Sequence, residues 1–474
     1  MSIFEAFKPI YGMLPEVKAP AKKPPINKRL LWTGVALFVF FVLGNIAVIG
    51  LDAQSSGQLE QLQVILASQI GTLITVGIGP IVLASIVLQL LVGGGIIKLD
   101  LSNPEEKAQF TGMQKLLAII LSFFEAAVYT MTGFLAPEPG MFIWVVLQVA
   151  IGSILLIYLD EVVSKYGVGS GIGLFIAGGV AGEIMWRIFS PLDLAQNFSL
   201  TEANGLFFLF FREIGNNIAS AFILALLPII FTLIVFFVVV YAEGIHVNIP
   251  ITMGRRGTGG RYPVKFLYVS NMPVILAVAL FANVSIWASL AKGVPFLGGI
   301  LGGIATVVIP PYGLIQQLLL EGLSPEIFTQ MIQSITTLQV IGLGGSIIHA
   351  ILYIIILTVA CIVFGRFWIE LGGQGPDKVA EQLQRAGMYI PGFRRDPRVI
   401  KGVLDRYIPT ITILGSAFVG ILAGFADLTG AIGSGTGILL TVGIVYRLYE
   451  ELAKEQLMEM HPMLGGILGQ GGRF

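Results

Sequence analysis

A buried charge is the most informative side chain in an apolar sequence, because an ionisable group in hydrocarbon is costly and marks function by default. Glu125, in SFFEAAVYT, sits well inside one apolar run, and Asn283, in LFANVSI, sits inside another. Other reactive groups are scattered. His246, His349 and His461 lie far apart with no HExxH or paired ligand spacing around them. Ser346 and His349 share a helix face at i, i+3, the geometry of a nucleophile and its base, yet no oxyanion-hole motif or orienting acid accompanies them. GSGTG at 433–437 lacks the Lys and Ser/Thr of a phosphate loop. Cys361 is the single cysteine and lies in an apolar run, which excludes an intrachain disulfide and a cysteine-clustered metal site. No enzyme, cofactor or metal site is expected. Two loops do carry concentrated charge. MGRRGTGGRYPVK presents Arg255, Arg256 and Arg261, and IPGFRRDPRVIK presents Arg394, Arg395, Arg398 and Lys401. Exposed arginines suit a phosphate backbone, and the same charges also retain a loop on the cytoplasmic side of a membrane.

The elements that must position these groups are membrane spans. Of 474 residues 55% are hydrophobic and only 12% charged, with mean hydropathy +0.87 and zero formal net charge. Such a chain is solvated largely by lipid, and about 20 apolar residues make one helical span. The sequence predicts an all-α membrane protein with ten transmembrane helices at 30–50, 71–92, 113–134, 141–159, 171–189, 218–242, 263–286, 343–366, 409–427 and 435–452. Residues 1–29 read as a cytoplasmic amphipathic segment, without a removable signal peptide, and 453–474 as a cytoplasmic tail. Long loops are expected at 243–262 and 367–408, and a more apolar connection at 287–342. On this topology 25 of the 28 Lys and Arg residues fall on one side, the exceptions being Arg187, Arg212 and Lys292. Both termini are therefore expected in the cytoplasm.

Ten spans divide into halves of five, 30–189 and 190–452, which must have opposite topology because five is odd. In the second span of each half a proline interrupts the apolar stretch, Pro80 in TLITVGIGPIVLAS and Pro273 in FLYVSNMPVILAV. Matched breaks point to an inverted repeat around a central path.

The stretch VILASQIGTLITVGIGPIVLASIVLQLLVGGG at 64–95 closely resembles the second-span region of the archaeal-type SecY family, pore-forming alpha subunits of the Sec protein translocase. Similar agreement recurs at PEVKAP, GVGSGIGLFIAGG, PVKFLYVSNMPVILAVALFAN, MYIPGFRRDPR and GSGTGILLTVGIVYRLYEEL, in register with the ten spans. The resemblance implies two five-helix halves around an hourglass pore that opens across the membrane for secreted chains and sideways for membrane segments. It implies a pore ring of Ile78, Val82, Ile172, Ile176, Ile275 and Leu440, with Leu439 able to replace Leu440 after a one-residue slip. The segment at about 57–70, with Leu59, Leu62, Ile65 and Leu66, corresponds to a plug helix closing the external half of the pore. Glu125 and Asn283 correspond to paired lateral-gate positions, where Leu83 stands in place of an expected threonine. Arg255, Arg256, Arg394 and Arg395 correspond to ribosome-docking loops. The partners implied are a SecE/gamma subunit, a beta subunit, the ribosome, signal sequences and nascent polypeptides, and membrane lipid, at the cell (plasma) membrane. The alternative is a secondary transporter, but its midplane site needs polar or acidic groups from both halves, and the matched breaks here carry aliphatic side chains. An ion channel lacks a candidate filter loop.

Overall fold

A computed structural model of the chain describes residues 9, 12–21, 24–51, 69–93, 97, 99, 103–192, 203–215, 217–253, 258–269, 271–291, 295–321, 347–371, 374–385, 388–389 and 397–460. The first half contains α1 (Ile26–Asn45), α2 (Gly79–Gly93), α3 (Pro104–Met131), α4 (Phe142–Tyr166) and α5 (Gly171–Phe189). After the short α6 (Leu206–Ile214), α7 (Ile218–Gly244) crosses with one π-helical turn at Phe222–Leu226. Then follow α8 (Met272–Ala291), α9 (Pro295–Val308), α10 (Leu314–Glu321), α11 (Ile347–Leu371), α12 (Pro376–Arg385), α13 (Pro397–Leu428) and α14 (Gly435–Met460).

A helix stands at every one of the ten expected positions. Eight of them are long and apolar enough to cross a membrane by themselves: α1, α3, α4, α5, α7, α8, α11 and α13. Helix α2 has only 15 residues, because 71–78 of the expected span are turns rather than helix. Helix α8 likewise begins at Met272, nine residues later than the apolar run suggests. The 287–342 connection contains α9 and α10. Large apolar side chains such as Phe38, Ile143, Phe237, Ile355 and Leu414 are exposed along the helices, the expected surface of a protein whose solvent is lipid.

The all-α description needs one local amendment. The expected loop at 243–262 is an antiparallel hairpin of β1 (His246–Met253) and β2 (Thr258–Lys265), and β3 (Met388–Tyr389) adds to the outer edge of β1. Beneath it Ile249, Val264, Leu383, Ile400 and Leu404 form a small apolar core shared with α12 and the start of α13. The described parts of the two long loops thus form one folded unit.

On the same side, Glu161 near the end of α4 accepts Lys115 of α3 at 2.7 Å, Lys165 at 2.9 Å and the backbone amide of Val17 at 3.2 Å. Tyr166 donates to the Lys18 carbonyl at 2.8 Å. The PEVKAP segment is thereby strapped across the ends of two spans.

The principal core is a single apolar cluster running through both halves, from Phe40, Ile78, Leu156 and Phe175 to Val235, Leu276, Leu357, Val419 and Leu440.

Candidate functional site: an apolar constriction between the halves

Two local devices, each used once per half, aim the side chains of this cluster. The first is a proline start. Pro80 and Pro273 occupy the first turn of α2 and α8, where the missing N–H has no helical acceptor to lose and the fixed φ favours helix entry. The first-turn bond is the same in both: Val82 N donates to Ile78 O at 3.1 Å, and Ile275 N donates to Asn271 O at 3.2 Å. The non-helical stretch ahead of α2 is held by Ser153 of α4, whose buried hydroxyl donates to Gly77 O at 3.1 Å. A Cβ at Gly152 would overlap the Leu73 carbonyl, so only glycine lets α4 approach this closely.

The second device starts α5 and α14. In GVGSGIG (167–173) and AIGSGTG (431–437), Gly169 and Gly433 adopt φ of 74° and 77°, a left-handed conformation that favours glycine. The next residue caps the helix: Ser170 Oγ accepts Gly173 N at 3.4 Å, and Ser434 Oγ accepts Gly437 N at 3.0 Å. A carboxylate from the preceding helix completes each cap. Asp160 Oδ1 accepts Ile172 N at 2.9 Å, and Asp427 Oδ1 accepts Gly435 N at 2.7 Å. Both carboxylates sit at the positive end of a helix dipole.

These repeats fix a register that the apolar sequence leaves ambiguous. Two residues past each proline are Val82 and Ile275, and six past each capping serine are Ile176 and Leu440. Leu440, rather than Leu439, is therefore the counterpart of Ile176. Two residues before each proline stand Ile78 and Asn271, and two past each capping serine stand Ile172 and Thr436. The first half thus contributes two aliphatic residues per helix and the second half one, with a polar residue in the other place. The duplicated GSGxG is the signal in the sequence that discloses this.

All six expected ring residues belong to the principal cluster. Ile78, Val82, Ile176 and Leu440 are buried, while Ile172 and Ile275 are partly buried and pack against them. The halves meet on two sides of the cluster. On one, α2 packs against α8 and α11, and α3 against α8; on the other, α5 packs against α14. Along the first seam runs an apolar cleft lined by Ile86, Gln89, Leu90, Leu276, Phe364, Phe367 and Trp368.

The expected gate residues belong to the helices that form this seam, Leu83 to α2, Glu125 to α3 and Asn283 to α8. Glu125, Asn283 and Leu83 are all buried, and Ile286 of α8 packs in one cluster with Ala126 and Tyr129 of α3. Asn283 Nδ2 donates to Ala279 O of its own helix at 2.8 Å, and Glu125 Oε1 has no hydrogen-bond partner. The two helices are adjacent, but these two atoms do not join the pair. The expected plug residues Leu59, Leu62, Ile65 and Leu66, and the docking residues Arg255, Arg256, Arg394 and Arg395, lie outside the described residues. Among the described residues no group of three or more His, Cys, Asp or Glu is placed to hold a metal ion.

Comparison with known proteins agrees over nearly the whole length. The SecY family model matches residues 72–449, and a model described as the plug domain of Sec61p matches residues 38–71. The chain is 46% identical to the protein translocase subunit SecY of Methanothermobacter thermautotrophicus, over 98% of this chain and 99% of that one. Identity to SecY of Methanocaldococcus jannaschii is 44%, with the same coverage. Among solved structures, one described as a protein conducting channel superposes with a TM-score of 0.78 at 43% identity, covering 96% of this chain and 98% of that one. Sec61 in the canine ribosome-channel complex from the endoplasmic reticulum superposes with a TM-score of 0.75 at 43% identity, with the same coverage. On these matches the chain belongs to the SecY family.

Proposed function

We propose that this chain is the pore subunit of a protein translocation channel, passing secretory polypeptides across the membrane and releasing transmembrane segments sideways into lipid. The observation that carries this reading is the apolar cluster at the seam, to which four helices from both halves contribute the branched aliphatic residues Ile78, Val82, Ile172, Ile176, Ile275 and Leu440. A ring of this chemistry excludes water and ions by dewetting, yet it has no rigid polar filter and parts for a polypeptide. Residues 57–70, within the plug-domain match at 38–71, support the ring from outside through Leu59, Leu62, Ile65 and Leu66. The seam of α2 and α3 against α8 and α11 is the lateral gate, with Glu125, Asn283 and Leu83 at its buried face and the apolar cleft beside it as the exit for a hydrophobic segment.

The finer assignments follow from charge. The 25 basic residues that the ten-span topology puts on one side support cytoplasmic termini for a multi-pass protein of the plasma membrane. The folded unit of β1–β3 and α12 carries the arginine loops, whose Arg255, Arg256, Arg394 and Arg395 dock the ribosome, as the canine channel is seen in complex with one. A single-span gamma (SecE) subunit clamps the halves, and a small beta subunit joins them.

The test is reconstitution. Chain purified with its gamma subunit, placed in vesicles with ribosomes making a secretory protein, is expected to render the product protease-resistant. A product that stays digestible, while the same vesicles accumulate a small solute, would replace this function with that of a transporter.

A further inference from the structure

Asn271 stands where the first half has the ring residue Ile78, two positions before the helix-starting proline, and it is buried to 3% exposure. Its Nδ2 donates to the carbonyls of Leu439 at 3.0 Å and Leu440 at 3.4 Å. The approach depends on Gly443, where any Cβ would overlap that nitrogen. Asn271 Oδ1 has no hydrogen-bond partner, and turning the amide over would set oxygen against the two carbonyls. The nitrogen-inward orientation is therefore the one that satisfies the site.

Resting on the pore reading above, we propose that Asn271 is a positioning residue for the seal. It fastens the first turn of α8 to the backbone of α14 at the ring residue Leu440, and its own carbonyl accepts from Ile275, the other ring residue of that half. One residue, through its side chain to α14 and its backbone carbonyl to Ile275, thus sets the spacing of both second-half contributors. The first half needs no such tie, because Ser153 anchors the turn before α2 from α4. The two halves close on a shared ring from differently fixed walls, and the second half gives up one aliphatic residue to make its fixing point.

The geometry predicts an unusual response to an apolar substitution. Asn271→Ile copies the first half and adds hydrophobic surface, so a residue that merely lined the wall would leave the seal as tight or tighter. A tie that is cut lets Ile275 and Leu440 drift, and resting ion conductance in planar bilayers is expected to rise roughly fivefold, the population shift that losing a buried hydrogen bond implies. Gly443→Ala, which evicts the amide without touching Asn271, is expected to leak as much, and the double variant no more than either single one. Thermal unfolding of each purified channel is measured beside the conductance, so that general loosening is recognised by a lowered midpoint. Gly443→Ser is the control, expected to leak like Gly443→Ala because the obstacle is its Cβ. Parent-level conductance in Asn271→Ile and Gly443→Ala, or additive leaks in the double variant, would overturn the proposal. The pore reading is judged separately by the serine-substituted ring described below: if that ring leaks and the Asn271 and Gly443 variants do not, only the positioning role fails.

Discussion

Asp427 Oδ1 accepts the backbone amide of Gly435 at 2.7 Å while Tyr353 donates to its other oxygen at 3.0 Å, so one buried carboxylate joins α11, α13 and α14 at the start of α14. Asp160 performs the same capping for α5. Replacing either by alanine removes a cap and leaves buried donors unpaired, a loss of about 1–3 kcal/mol. Asp427→Ala is expected to lower the unfolding midpoint of the purified channel more than Tyr353→Phe, which leaves the cap in place. Equal midpoints for Asp427→Ala and the parent would show that the carboxylate carries no such load.

The topology rests on the distribution of charge, 25 basic residues against three. With Cys361 removed, single cysteines at Ser2 and Glu321 are expected to react with an impermeant thiol reagent from opposite faces of sealed vesicles. Labelling of both from one face would end the ten-span arrangement.

The arginine loops give a prediction about salt. Arg394→Glu together with Arg395→Glu reverses two charges and is expected to weaken ribosome binding about tenfold or more at moderate salt, the remaining affinity still falling as salt rises. Binding unchanged across a salt series would leave these arginines as topology determinants alone.

At the proposed lateral gate, Glu125 and Asn283 lie on packed helices but are not hydrogen-bonded through the Asn283 amide nitrogen, which donates to Ala279 O. Cysteines at the two positions are expected to form a disulfide under oxidation, and the crosslinked channel to lose membrane-protein insertion. A folded, active channel in which the pair never crosslinks would move the gate elsewhere.

How far the sequence discloses these features depends on whether a contact is local. The spans are legible because each is a run near the thickness of hydrocarbon, and Pro80 and Pro273 are legible as breaks. The break itself is displaced, since proline starts α2 and α8 rather than kinking a longer helix. The hairpin is hidden because glycines and prolines in IPITMGRRGTGGRYPVK interrupt the alternation that marks a strand, and its core comes from α12 and α13, more than a hundred residues away. Leu440 and Leu439 are indistinguishable by composition, and only the matching caps at Ser170 and Ser434 separate them. Asn271 escapes notice for the opposite reason. It is a polar residue beside a proline in a loop-like stretch, and its partners are carbonyls about 170 residues later.

The proposed seal yields the most specific expectation. Ile78, Val82, Ile172 and Ile176 from the first half meet Ile275 and Leu440 from the second in one apolar cluster. On the proposed reading, an ion entering such a place must shed its hydration among aliphatic side chains that offer no replacement, and that cost is the barrier. Serine at ring positions restores wetting with less enlargement of the opening than glycine would cause. Ile78→Ser, Ile172→Ser and Ile275→Ser combined are therefore expected to raise resting ion conductance about tenfold or more in planar bilayers at equal incorporated protein. Deleting residues 59–67 removes the plug proposed to act through Leu59, Leu62, Ile65 and Leu66 and is expected to add to that leak. The order of effects matters, because a plug deletion alone, with the aliphatic ring intact, is expected to leak less than the triple-serine channel. If the triple-serine channel stayed as tight as the parent even after the deletion, the barrier would lie outside this cluster and the pore assignment would fall with it.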